Sequence, residues 1–357
     1  MTARRVPVLD GHNDLPWALR EHCGYDLSKV DLAGGEGAVH TDLPRLRAGG
    51  VAGQRARHEH RPELAGDAAV TATLEQVDFV HRLVAAFPDD LALCRTADEV
   101  EAAMRAGRIA SLSGMEGGHS INSSLGTLRM MHALGVRYMT LTHNENVPWA
   151  DSATDEPVLG GLSDFGRDVV REMHRIGMFV DLSHVSADVM RDALAVATAP
   201  AIFSHSSARA VCEHPRNVPD DVLASLAGNG GVCMVTFVPP FVDQGHADWV
   251  FECMDLLRER GGDPRRFEEL DLVMKERLHL APPMPPVSAT ADTGGIGGDY
   301  DGSLTFPAGL EDVSGYPRLF DELRSRGWSQ GDLVALGSGN VLRALHDLES
   351  SAKSVRA

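Results

Sequence analysis

His12 with Asp14, then Glu116, His143, His184, His205 and Asp299, each fall just after a strand-like run, six runs in all. Imidazoles and carboxylates are the donors that bind transition metals and move protons. Three imidazoles (His12, His184, His205) with two carboxylates (Asp14, Glu116) suit Zn2+ far better than Mg2+ or Ca2+, which prefer shells of oxygen alone. Five ligands are one too many for a four-coordinate structural site. If Glu116 bridges, each of two ions receives three protein ligands. His12, Asp14 and Glu116 then serve one ion, and Glu116, His184 and His205 serve the other. Ions ~3.5–4 Å apart acidify a water between them until it attacks near neutral pH. Their surplus of positive charge suits an anionic substrate.

Such residues form a site only if the fold gathers them. Apolar strand-like runs recur at 6–10, 50–54, 109–114, 136–142, 178–182, 201–204, 231–237 and 294–299. Helical spacing fills the intervals at 68–87, 97–106, 124–133, 165–176, 187–195 and 222–227. Gly135, Gly177 and Gly230 stand between a helix and the next strand, where a left-handed C-cap is expected. Near-continuous apolar strands alternating with helices predict a parallel sheet. Eight of them in 357 residues favour a closed (β/α)8 TIM barrel over an open sheet. No Gly-rich dinucleotide fingerprint follows the first strand, which weakens the open alternative. Such a barrel collects its chemistry at the C-terminal ends of its strands, where all these candidates stand. The predicted organisation is one metallohydrolase barrel domain over residues 1–357. Residues 241–291, the least regular stretch, form an excursion between strands seven and eight.

Lys and Arg number 33 against 51 Asp and Glu, a formal net charge of -18. That field repels phosphate backbones and anionic lipid, so neither nucleic acid nor a membrane is an expected partner. Five cysteines without a CxxC pair read as reduced, mostly buried thiols of a soluble, cytoplasmic protein. No run approaches the ~20 apolar residues of a membrane span.

The chain resembles the membrane (renal) dipeptidase family of binuclear zinc peptidases. The matching runs are Asp10-Gly11-His12-Asn13-Asp14, Glu116-Gly117-Gly118-His119, Leu141-Thr142-His143-Asn144, Asp181-Leu182-Ser183-His184, Phe203-Ser204-His205-Ser206, His214-Pro215-Arg216-Asn217 and Gly297-Gly298-Asp299-Tyr300-Asp301-Gly302. They span nearly the whole chain in family order. The resemblance implies a (β/α)8 barrel, usually a homodimer, that hydrolyses dipeptides, including those with a C-terminal D-residue. It implies the same five ligands with Glu116 bridging. It further implies that His143 polarises the scissile carbonyl or steadies the oxyanion, that Arg216 grips an anionic part of the substrate, and that Asp299 carries the proton from attacking water to leaving amine. Asp301 competes for that last role, and Asp299 lies nearer the strand end.

Two stretches depart from the family. At 55–61, Arg55-Ala56-Arg57-His58-Glu59-His60-Arg61 replaces an apolar second strand, and charged side chains cannot line a core without a large desolvation cost. Strand two is therefore expected to be weakened, either ending at Gln54 or looping outward. At 284–295 a family helix is missing, which leaves a shortened segment before strand eight. The leading reading is a zinc-dependent dipeptidase. The rivals are a metal-binding barrel whose catalysis is impaired by these two segments, and another binuclear amidohydrolase-like hydrolase acting on lactones, phosphotriesters or cyclic amides.

Overall fold

The computed structural model describes residues 5–35, 37–58, 65–282 and 294–356. Nine strands occur there: β1 Val8–Asn13, β2 Val51–His58, β3 Leu91–Leu93, β4 Ile109–Glu116, β5 Val136–Thr140, β6 Phe179–Asp181, β7 Ile202–Ser206, β8 Val232–Val235 and β9 Gly294–Ile296. Eight of them close in the order β1, β2, β4, β5, β6, β7, β8, β9 and back to β1, every pair parallel. Helices surround this ring, giving the predicted (β/α)8 barrel, and each of the eight apolar runs supplies one barrel strand.

The remaining strand, β3, was not expected. It pairs with β4 at Ile109–Ser111, and β5 takes over as a neighbour of β4 from Ser113 onward. The second strand is also longer than expected. It does not stop at Gln54: its backbone stays in register with β4 through His58, with Arg55 opposite Leu112 and His58 opposite Met115. Ladder hydrogen bonds use backbone groups alone, so a change of side-chain chemistry does not by itself end a strand flanked on both sides. Residues 59–61 of that tract, and 284–293 of the second altered segment, lie outside the described residues. β9 follows the latter directly. It is three residues long, yet it pairs with β8 through Cys233, Met234 and Val235 and with β1 through Asp10. Asn340 also donates its side-chain N–H to the Gly294 carbonyl at 2.9 Å.

The six expected helices form within two residues of their predicted bounds, and helices at Leu15–Cys23, Leu43–Gly49, Tyr316–Ser325, Gln330–Val334 and Asn340–Arg356 were not expected. Ser163 and Ser186 accept from the N–H three residues on, opening Asp164–Ile176 and Ala187–Val196, a cap that contributes about 1 kcal/mol. Gly135, Gly177 and Gly230 all take positive φ (119°, 81° and 77°), ending helices with two carbonyls satisfied each. Between β8 and β9 lie the helices Pro239–Val242, Gln244–Glu259 and Phe267–Glu276. The latter two share a small core of Trp249, Val250, Cys253, Leu257, Leu270 and Val273. The five cysteines are buried and form no disulfide. Among the described residues no helix is long and apolar enough to cross a membrane.

Candidate metal centre

The predicted residues meet at the C-terminal end of the barrel. His12 is the last residue but one of β1, and Asp14 follows at the start of the helix Leu15–Cys23, with His12 Nε2 3.7 Å from Asp14 Oδ1. Glu116 ends β4 with no exposed surface, and four imidazoles face it. His184 Nε2 is 2.8 Å from Glu116 Oε1, His205 Nε2 3.4 Å and His12 Nε2 3.7 Å from the same oxygen, while His143 Nε2 is 3.6 Å from Oε2. Asp299 completes the group, its Oδ1 3.8 Å from His12 Nε2. Asp14, Glu116, His12 and His205 are at most 1% exposed, and His184, Asp299 and His143 lie between 6% and 9%.

The donor set can be tested against a metal. Glu116, His184 and His205 bring one ligand atom each within 4.8 Å of one another, and so do His12, His205 and Asp299. Burying several carboxylates together is costly unless cations balance them. Imidazole nitrogens mixed with carboxylate oxygens are the donors a Zn-like ion takes. The residues present therefore fit a bound divalent ion.

Backbone geometry at the strand ends is unusual. His184 and Asp299 have φ of +71° and +61°. Asp and His are among the few side chains that adopt this left-handed region with any frequency. Gly11 lies below: a Cβ there would meet Met234 Sδ at 2.3 Å and the Ser204 carbonyl at 2.6 Å, so only glycine lets β1 pass this close. Ser204 Oγ bonds His205 Nδ1 at 2.8 Å and reaches His12 Nδ1 at 3.3 Å, which orients both rings so that Nε2 faces the carboxylates.

Two buried aspartates, Asp10 and Asp181, support the strand ends. Asp10 Oδ1 accepts from the His12 and Gly298 amides, and its Oδ2 accepts from the Tyr316 hydroxyl at 2.6 Å. Burial pushes the Asp10 carboxyl up to about 6, against the downward pull of those hydrogen bonds. Asp181 Oδ1 accepts from the Ser183 and Ser204 amides. Their signal in the sequence was position alone: each stands two or three residues ahead of a candidate histidine.

Arg216 is 2% exposed, and its Nη2 lies 2.8 Å from His205 Nε2. Its guanidinium sits over the Phe241 ring at 5.3 Å, and its amide donates to His214 Nδ1 at 3.2 Å. Burial and then the neighbouring Arg216 and Arg209 charges lower His214 to about 3, so its ring is neutral and able to accept. Asp301 is directed elsewhere: its Oδ1 accepts the His40 amide, and its own amide donates to His40 Nδ1 at 3.1 Å.

A cleft of about 200 Å³ opens beside His143, lined among others by Gly66, His119, Asn122, Asn144, Glu145 and Trp149. The rim loop that follows β5 carries His143 and is fastened by its own residues. Ser152 Oγ donates to the His143 carbonyl at 2.7 Å. The buried Asp151 carboxylate accepts from the amides of Val158, Leu159, Gly160 and Gly161. Arg265 of the excursion reaches Asp155 of this loop at 3.2 Å.

Residues 2–357 match the family model for membrane dipeptidase, peptidase family M19. Solved structures with the same architecture include a metallo peptidase from Rhodobacter sphaeroides liganded with a phosphinate mimic of the dipeptide L-Ala-D-Ala. It is 24% identical, with a TM-score of 0.78, over 97% of this chain and 100% of that one. The probable dipeptidase PvdM from Pseudomonas aeruginosa is 22% identical with a TM-score of 0.82, over 98% and 96%. The metallo peptidase dipeptidase AC, also of family M19, is 26% identical with a TM-score of 0.77, over 96% and 99%. With its barrel and its convergent imidazoles and carboxylates, the chain belongs to the membrane dipeptidase family, peptidase family M19, and is a metal-dependent dipeptidase.

Proposed function

We propose that this dipeptidase works with two zinc ions. His12, Asp14 and Glu116 would hold one, and Glu116, His184 and His205 the other, with the Glu116 carboxylate shared. The observation that carries this reading is the buried Glu116 carboxylate faced by the Nε2 atoms of His12, His184, His205 and His143. When bound, such ions supply acidification of the attacking water and polarisation of the scissile carbonyl.

The chain's own groups do the rest. Arg216, planar and permanently charged, grips the substrate carboxylate with two N–H groups, a geometry that lysine cannot reproduce. His143 stands 3.6 Å from Glu116 on the cleft side and donates Nε2–H to the carbonyl oxygen as negative charge develops there. Asp299 takes the proton of the attacking water and returns it to the leaving amine. Its left-handed backbone turns the carboxylate back toward His12 rather than along the strand. Dipeptides are the proposed substrates, those with a C-terminal D-residue included. The phosphinate mimic of L-Ala-D-Ala bound to the Rhodobacter sphaeroides relative supports that class.

The test is zinc stoichiometry and a dipeptide panel on one sample. Close to two zinc ions per chain are expected, with turnover that needs both a free amine and a free carboxylate on the substrate. Glu116→Ala should lower occupancy of both ions. Loss of one ion only would refute the bridge, and turnover of lactones or phosphotriesters without dipeptides would refute the substrate class.

A further inference from the structure

Asp10 and Asp181 take no part in the chemistry above, yet they repeat one arrangement half-way round the barrel from each other. Asp10 on β1 is in register with Ile296 on β9, and Asp181 on β6 with Ile202 on β7. Each Oδ1 accepts from the N–H two residues further along its own strand. Each also accepts from the N–H two residues past its register partner. For Asp10 these donors are His12 (3.1 Å) and Gly298 (3.0 Å), and for Asp181 they are Ser183 and Ser204 (3.0 Å both). The residue after each neighbouring-strand donor is a site residue, Asp299 in one case and His205 in the other. On the home strands the donors are His12 itself and the residue before His184.

The strand pairing explains why a carboxylate is needed at these two places. β1 with β9 and β6 with β7 share a single registered pair each, the first resuming only at the isolated Asn13–Tyr300 bridge. The six other junctions of the ring keep three or more registered pairs. Where the ladder lapses, buried amides must be satisfied by something other than a facing carbonyl; across β1 and β9 backbone bonding then resumes from the Asp299 amide to the His12 carbonyl (3.2 Å) and from the Asp14 amide to the Tyr300 carbonyl (2.8 Å). One oxygen accepting two amides does this and also ties each strand end to its neighbour across the lapse. Just beyond these bonds the chain enters the left-handed conformations of Asp299 and His184.

We propose that Asp10 and Asp181 are positioning residues. Asp10 sets Asp299 against His12, and Asp181 sets His184 against His205. This rests on the assignment of those four residues to the metal centre and the proton shuttle. It makes placement of the acceptor oxygen, not its charge, the property that matters.

Asparagine keeps an acceptor oxygen at the same point without the charge, whereas glutamate keeps the charge and moves the oxygen by one methylene. The experiment measures zinc affinity, by competition with a chromophoric chelator on metal-free protein, together with kcat and KM. The variants are Asp181→Asn, Asp181→Glu and Asp181→Ala, and the same three at Asp10. Expected are affinity losses of about 10–100-fold for the Glu and Ala variants at Asp181, a usual cost of removing a ligand's support. Asp181→Asn should stay within a few-fold of wild type. At Asp10 the Glu and Ala variants should lose a similar factor in kcat with KM little changed, and Asn should restore most of it. Should the Ala variants not fold, the contrast of Asn with Glu still decides. Glu variants that behave like wild type, or Asn variants as damaged as Glu, would overturn the proposal. A wild type holding only one zinc ion would count against the binuclear reading alone, because the Asn and Glu variants are still compared on the ion that remains.

Discussion

Asp14 occupies the space that any side chain at position 302 would need. A Cβ built on Gly302 would fall 1.8 Å from Asp14 Oδ2 and 2.8 Å from Asp299 Oδ1. Gly302→Ala must therefore displace both carboxylates from their observed places. The expected result is zinc affinity weakened by about 10–100-fold, with activity falling in step. Full zinc occupancy and normal turnover in Gly302→Ala would show that neither carboxylate needs its observed place.

Asp299→Asn should keep both zinc ions and lose about 10²–10⁴ in kcat, the usual contribution of a general acid–base. Asp301→Asn is the contrast. Asp301 faces His40 and not the imidazole cluster, so its change should lower stability by about 1–3 kcal/mol and leave kcat largely intact. Thermal unfolding and steady-state kinetics on the two variants separate the roles. A reversal of the two phenotypes would move the shuttle to Asp301.

Arg216→Ala should raise KM for dipeptides by about 10–100-fold, the worth of a charge-assisted contact, with zinc content unchanged. Arg216→Lys should recover little of this, because an ammonium does not present a planar pair of donors. Zinc loss in Arg216→Ala would instead assign the residue to the support of His205, which it touches.

His174 is buried, with Nδ1 accepting the Thr198 amide at 3.1 Å, and burial lowers its pKa from 6.5 to about 4. Between those values the unfolded chain holds a proton that the folded chain does not. Stability therefore rises with pH across this window; the contribution is complete above the unfolded value and is lost as pH falls toward the folded one. The span corresponds to on the order of 3 kcal/mol. His174→Asn keeps an acceptor and removes the titration. Urea unfolding of metal-free protein at about pH 4.5 and 7.5 should show a weaker pH dependence in the variant. An unchanged dependence would place the titration in other groups.

The barrel was legible because parallel strands covered on both faces must be apolar throughout, and eight such runs stand out in the sequence. β3 was not, since Leu91–Leu93 is too short to show a period. The extension of β2 to His58 was missed for a different reason. Its side chains argue against a core strand, whereas its ladder depends on the backbone groups of β1 and β4. Site residues were legible where they stood just past an apolar run, as His184 and His205 do after 178–182 and 201–204. Asp10 and Asp181 were not, because their partners, the amides of Gly298 and Ser204, are contacts between chain segments that no local pattern encodes.

Asp151 gathers four successive amides of the rim loop around one buried carboxylate, while the Ala153 amide donates to the His184 carbonyl at 2.7 Å and the Ser186 amide to the Asp151 carbonyl at 3.0 Å, so the loop is fastened both to itself and to the segment that carries a site histidine. A segment tied at 151 and again at 158–161 moves as one unit with the residues between. Its intervening residues are pinned as well: the Ser152 and Thr154 hydroxyls donate to the His143 and Asn144 carbonyls, and Asp155 accepts the Asn146 amide. A change of sequence between 152 and 157 is thus felt at the His143 and His184 carbonyls, so this loop and the metal centre are bound to vary together.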